Sequence, residues 1–383
     1  PIAAAWVQMR QAVSNGHRLP QATAAVAPMI TTKWGQGDPY NAYCPYDLST
    51  QSNSVVGCVA TAMAQVMNYW KWPKQGEGSH SYRPKNPNTY RTSTKYSVQS
   101  ANFGETTYDW KNMLDNYYDL ENDSVLGTEE QQLAVATLMY HCGVSVDMMY
   151  GDENDGGSGA YSISYDGLVG ASVEQALVEY FKYKGTLSGI QKEEESGSWW
   201  GWGQTVVNYT DSEWAAILKA ELDAKRPVIY SGADNSAGGH CFVCDGYLGD
   251  MFHINWGWSG VSDGYFRLTA LNPGTGGVGG GTYNFSDNAD MLIGIEPDYP
   301  EGYEETTALN IIGTNDNYRL IDISGMKGEI KVEIFNLCGQ TMKIINLNNN
   351  TDSVIDISDL PYGQYVVKAS DNIKTYSAKM MKL

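Results

Sequence analysis

Val55-Val56-Gly57-Cys58-Val59-Ala60-Thr61-Ala62-Met63-Ala64-Gln65-Val66-Met67-Asn68-Tyr69-Trp70-Lys71-Trp72-Pro73 reads as a helix with no face for water. From Cys58 to Trp72 small and apolar side chains fill nearly every position, Gly57 stands before the first turn, and Pro73 stops the run. A helix that is apolar all round belongs in the middle of a domain. A thiol in its first turn lies at the positive end of the helix dipole among free backbone N–H groups, and both lower a cysteine pKa. Cys58 is therefore a candidate nucleophile, although a small buried hydrophobe would leave the same trace.

Around this helix the rest of the chain orders itself. Glu129 to Cys142, with Leu133, Ala134, Ala136, Leu138 and Met139, predicts a second helix that Gly143 would stop. Strand signals follow at Pro227 to Ser231, His240 to Tyr247, Met251 to Trp256 and Gly264 to Leu268, separated by glycine-containing turns. Helices first and strands later argue for an α+β domain. Around Pro297 to Thr307 the sequence EPDYPEGYEETT has little to pack and reads as a linker. Beyond it the chain alternates apolar and polar residues between Gly, Asn and Pro turns, the pattern of a small β-sandwich. The expected divisions are residues 1–24 as a short element plus connector, 25–298 as the large domain, 299–308 as linker and 309–383 as the all-β tail.

With 383 residues the chain can bury a full core, and two or three domains are expected. Lys+Arg of 25 against Asp+Glu of 44 gives a net charge of −19, which repels phosphate backbones and disfavours nucleic acid as a partner. From Ala308 onward eight basic residues balance eight acidic ones, so the charge resides in the rest of the chain. No stretch approaches the roughly 18 apolar residues of a membrane span. The chain begins at Pro1, as a processed or truncated product would. Six cysteines without paired spacing do not make a disulfide framework.

A cysteine nucleophile needs a base that takes its proton and returns it to the leaving amine. Gly238-Gly239-His240, at the head of a strand, offers one in a chain with five histidines. In His253-Ile254-Asn255-Trp256-Gly257-Trp258, on the next strand, the Asn255 side-chain oxygen can accept from a histidine ring N–H while Trp256 shields that bond from water. Upstream, Trp34-Gly35-Gln36-Gly37 sets an amide donor between glycines, where a developing oxyanion would want one. Two other patterns lead elsewhere. Gly274-Thr275-Gly276-Gly277-Val278-Gly279 satisfies G-x-G-x-x-G but lacks the helix that a dinucleotide site requires. Cys241 and Cys244, three apart on a strand, face opposite sides and do not converge on a metal.

The set GQGDPYN, VGCVATAMAQVMNYW, GVSVDMMYG, AGGHCFVCDG and INWGWSGVSDGYFRLTALNP, in this order from about Trp34 to Pro297, resembles the streptopain family (peptidase C10) of secreted bacterial cysteine peptidases. The resemblance implies a papain-like two-lobed fold with the cysteine on a central helix and the histidine on the opposing antiparallel sheet. It implies Cys58 as nucleophile, His240 as general base and acid, Gln36 as oxyanion-hole donor, and Asn255 with Trp256 as the histidine-orienting pair. It also suggests a mobile glycine loop with Gly276 and Gly279 beside the cleft, Gly239 and Trp258 as further substrate contacts, and an apolar substrate side chain two places before the cut. Neither a metal nor an organic cofactor is expected. The partners implied are protein or peptide substrates and the family's own inhibitory prodomain, of which residues 1–24 would be a remnant. The tail, with VEIFNLCGQ, IDISDLPYGQY and the final Lys379 to Leu383, is similar to the C-terminal sorting domains of Bacteroidetes type IX secretion. A secreted or cell-surface endopeptidase is the expectation. An acyl transferase using the same thioester and a non-catalytic surface binding module are the rivals.

Overall fold

A computed structural model describes residues 25–298 except 123, 152–155, 166–170, 197–203, 237 and 275–282. It also describes residues 299–382 except 301–305, 309–310, 314–316, 322, 324–325, 327–328, 338, 349–353 and 372–374. The expectations placed on residues 1–24 and on Gly276 and Gly279 lie outside the described residues. The chain divides into two compact units, one ending at Asp298 and one starting at Tyr299.

Helix α1 spans Cys58–Trp70, and its residues from Val59 to Asn68 are all buried. One flank meets helix α2, Glu129–Ser145, where the Cys142 thiol lies 3.7 Å from the Met67 sulfur. The other flank faces an antiparallel sheet. Its strands are β1 (Ala25–Val26), β2 (Ser188–Gln191), β3 (Val228–Asp234), β4 (Gly238–Leu248), β5 (Met251–Asn255), β6 (Gly264–Phe266) and β7 (Asp287–Ile293). They run in the order β6-β5-β4-β3-β7-β2, with β1 paired to the far end of β4. From His240 to Tyr247 every residue of β4 is buried, because the sheet is covered on both faces. The face away from α1 buries Val228, Tyr230, Phe242, Cys244, Trp256, Ala289 and Met291 with Trp214, Leu218 and Leu222 of a later helix.

Two differences from the expected layout stand out. Helix α2 does not stop at Gly143 but continues to Ser145. A Cβ at Gly143 would overlap the Tyr150 hydroxyl, so this glycine makes room for a neighbouring side chain and does not end the helix. Two further helices were not expected: α3 (Val173–Glu179) and, between strands of the sheet, α4 (Asp211–Asp223). Each opens with a reciprocal capping box, Ser172 with Gln175 and Thr210 with Glu213.

The second unit is all β. One sheet joins β8 (Thr306–Ala308), β11 (Glu329–Asn336), β12 (Thr341–Asn348), β14 (Gly363–Ser370) and β15 (Thr375–Lys382). The other joins β9 (Ile311–Gly313), β10 (Tyr318–Ile321) and β13 (Val354–Asp356). Ile330, Val332, Ile334, Val367 and Ala369 pack with Ile321, Ile355 and Ile357 to form its core. Strand β8 lies inside the stretch read as linker and pairs in parallel with β15.

Candidate active site

Gly57 precedes α1 with φ 91°, a backbone conformation that a side chain strains, and a Cβ there would meet Met148 and the Ser158 carbonyl. The turn therefore delivers Cys58 as the first helical residue. Burial pushes the Cys58 thiol up, while the backbone N–H groups of Cys241, Val59 and Cys58 itself pull it down. The lowering expected from the helix start is outweighed by desolvation.

His240 lies on β4, and Cys58, Gly239 and His240 all line one cleft of about 480 Å³. Its Nε2 donates to the backbone carbonyl oxygen of Trp256 at 2.9 Å, which leaves Nδ1 as the basic nitrogen. The imidazole stacks on Trp258 with ring centres 4.7 Å apart and on Trp256 at 6.0 Å, and Phe285 stands 5.2 Å away. Burial brings its pKa down to about 4, against the opposing pull of the Trp256 carbonyl. Trp258 was expected to touch substrate; its ring is buried and covers the imidazole.

Asn255 takes a different place from the expected one. Its Oδ1 accepts from Gln65 Nε2 at 3.0 Å and from the Gly257 N–H at 3.1 Å, and its Nδ2 donates to the Thr32 carbonyl at 2.8 Å. Gln65, on α1, also accepts from the Thr32 hydroxyl at 2.9 Å. This buried knot ties α1 to β5 and to the segment leading to Gln36. The acceptor facing the His240 ring is a main-chain carbonyl, not the Asn255 amide. The Trp256 backbone oxygen accepts from the His240 ring, and its indole stacks on the imidazole.

Gln36 is half-buried, and its carbonyl accepts from the Val56 N–H at 2.9 Å, which fixes its backbone two residues before Cys58. The Ser259 N–H holds the same segment through the Trp34 carbonyl at 3.1 Å.

Two carboxylates escaped the sequence reading. Asp263 accepts from the Trp256 N–H at 2.8 Å, and burial pushes its pKa up to about 6. Asp290, on β7, lines the cleft itself and accepts from the Ser162 hydroxyl at 2.7 Å; burial likewise raises it to about 6. Neither stands in a motif, and only the sheet order brings Asp290 to the cleft. His253 is engaged in a structural pair: its Nδ1 meets Asp245 Oδ1 at 2.6 Å, and Asp245 also accepts from the Ile30 N–H at 2.7 Å.

Residues 34–266 match the profile of the Peptidase C10 family, and residues 315–382 match that of the secretion system C-terminal sorting domain. The second match marks a secreted or cell-surface protein. The chain is 38% identical over 283 residues to the thiol protease/hemagglutinin PrtT of Porphyromonas gingivalis, covering 72% of this chain and 28% of that protein. It is 33% identical over 274 residues to streptopain of Streptococcus pyogenes, covering 69% of this chain and 60% of streptopain. Among solved structures it resembles active wild-type interpain A, a cysteine protease of Prevotella intermedia, with TM-score 0.56 and 37% identity over 72% of this chain and 97% of that one. A prointerpain A fragment aligns with TM-score 0.55 and 36% identity, over 76% of this chain and 81% of the fragment. The architecture is the α+β, papain-like fold expected from the sequence, followed by a β region. With the first profile spanning more than half of its residues, the chain belongs to the Peptidase C10 family.

Proposed function

We propose that the protein is a secreted cysteine endopeptidase in which Cys58 attacks the peptide carbonyl. The observation that carries this reading is the meeting of Cys58 and His240 in one cleft, with His240 Nε2 held by the Trp256 carbonyl. In this mechanism His240 Nδ1 takes the thiol proton as the sulfur bonds to the carbonyl carbon, then gives it to the leaving amine as the C–N bond breaks. Water, deprotonated by the same nitrogen, hydrolyses the thioester and frees Cys58. The Gln36 side-chain amide donates to the oxyanion that forms between these steps. Asn255 acts on the reaction through position alone, by fixing α1 against β5.

Residues 25–298 form the peptidase domain in this proposal, and residues 309–383 are recognised by the secretion machinery. A prodomain of the same protein occupies the cleft before activation.

Casein cleavage by wild type and Cys58→Ala, with and without an epoxide thiol inhibitor, tests the assignment. Loss of at least about a thousandfold in the variant, with the fold retained, is the expected result. Undiminished cleavage by Cys58→Ala would overturn it.

A further inference from the structure

Trp256 lies just beyond two ladders. Asn255 is the last residue of β5 opposite β4, and Ile254 the last opposite β6. The Trp256 main chain takes its partners elsewhere: its N–H donates to Asp263 Oδ1 at 2.8 Å, and its carbonyl oxygen accepts from His240 Nε2 at 2.9 Å. Among the described residues its buried indole Nε1 finds no hydrogen-bond partner, so the ring adds packing and no polar anchor.

The segment that brings Asp263 back to Trp256 is tightly wound. Ser259 and Ser262 both take positive φ, 55° and 66°, which side chains seldom adopt. Left-handed backbone of this kind does not continue a strand, so the main chain ahead of β6 offers Trp256 no rung and the Asp263 side chain supplies the acceptor. Asp263 is not among the described residues that line the cleft. Burial raises its carboxyl to about 6; the Trp256 N–H, His253 on β5 and Lys33 pull it down, and Asp245 on β4 pushes it up. At neutral pH it therefore accepts as a carboxylate, about twice as strongly as a neutral oxygen would.

We infer that Asp263 is a positioning residue for the reaction: its carboxylate fixes the Trp256 main chain, whose carbonyl oxygen in turn holds the His240 imidazole toward Cys58. The inference rests on the peptidase reading above and adds to it a member outside the cleft. When His240 Nδ1 takes the Cys58 proton the ring becomes a cation, and the Nε2–H bond to the Trp256 carbonyl strengthens as bonds to charged groups do. A carbonyl free to swing loses that gain, and a displacement of about 1 Å at a reacting group costs on the order of a hundredfold in rate.

The test measures kcat and KM of the full chain on a fluorogenic peptide, per active site titrated with the epoxide inhibitor, for wild type, Asp263→Asn and Asp263→Ala. The alanine variant should lose roughly ten- to a hundredfold in kcat with KM unchanged. The asparagine variant, whose amide oxygen still accepts from the Trp256 N–H, should recover most of that loss. Its remaining deficit, about three- to tenfold near pH 7.5 for a neutral acceptor in place of a charged one, should close below about pH 6, where wild type loses its charge as well. An alanine variant whose titrated sites turn over like those of wild type overturns the role. The asparagine comparison decides even if the alanine variant does not fold: a deficit that is absent, or that stays constant between about pH 7.5 and pH 5 as damage to the loop alone would give, overturns it too. Both of these results leave the peptidase reading intact. If the epoxide inhibitor does not label Cys58 in wild type, that reading falls and the inference with it.

Discussion

Asn255 shows how a residue next to the chemistry can act through architecture. Its amide makes three buried hydrogen bonds, to Gln65, Gly257 and Thr32, and none to the His240 ring. Asn255→Ala should therefore cost about 3 kcal/mol in urea unfolding, since the partners left behind are buried and unpaired. The pH profile of kcat/KM in the surviving folded protein should keep its shape. A shifted profile would instead make Asn255 a direct partner of the imidazole. Cys58 and His240 were legible as candidates through the ordered set of motifs around them, since a cysteine at a helix start or a histidine at a strand head alone has an ordinary structural reading. The Trp256 carbonyl was not legible, because every residue carries one. His141 bears on stability: burial lowers its pKa to about 4, and it stands 3.0 Å from the Tyr108 hydroxyl. The folded state thus refuses a proton that the unfolded chain accepts below about pH 6.5, so its contribution is whole above that pH and is lost as pH falls toward 4. His240 acts in the same direction, while Asp263 and Asp290, raised to about 6, bind protons in the folded state first and offset it. His141→Gln should lose less stability than wild type between pH 7 and pH 4, by up to about 3 kcal/mol, measured as urea midpoints along that range.

At the scale of elements, helix α1 was readable from its composition and α2 from its apolar positions, but the end of α2 was misread. A glycine after a periodic run ordinarily signals a stop; here Gly143 is helical and faces the Tyr150 hydroxyl. Gly143→Ala separates the two readings. Helix propensity alone predicts a gain of about 1 kcal/mol. The packing predicts a loss of roughly 1–3 kcal/mol, seen as a lower Tm, because the added methyl has no room in a filled interior. Helices α3 and α4 carried their signal in capping boxes, Ser172 to Gln175 and Thr210 to Glu213, and not in a long apolar run. Two polar residues three apart are easily passed over, and α4 shows its apolar stripe only once Trp214, Leu218 and Leu222 are seen meeting the sheet.

At the scale of the whole molecule, the two units have separate cores: one joins α4 to its sheet, and the other lies between the sheets of the β unit. Scanning calorimetry should resolve two unfolding transitions, and one cooperative transition would show that the units depend on each other. The near-neutral composition from Ala308 onward predicts that added salt shifts the transition of the acidic unit more than that of its neighbour. The bond from His240 to the backbone of Trp256 also has a consequence for heredity. A gene can exchange a side chain at any codon, but no codon deletes a peptide oxygen. In a saturation library scored for turnover, codon 58 should tolerate nothing and codon 240 almost nothing. Codon 256 should grade its replacements by how well they fill the space of the indole, with none of them removing the atom that holds the histidine.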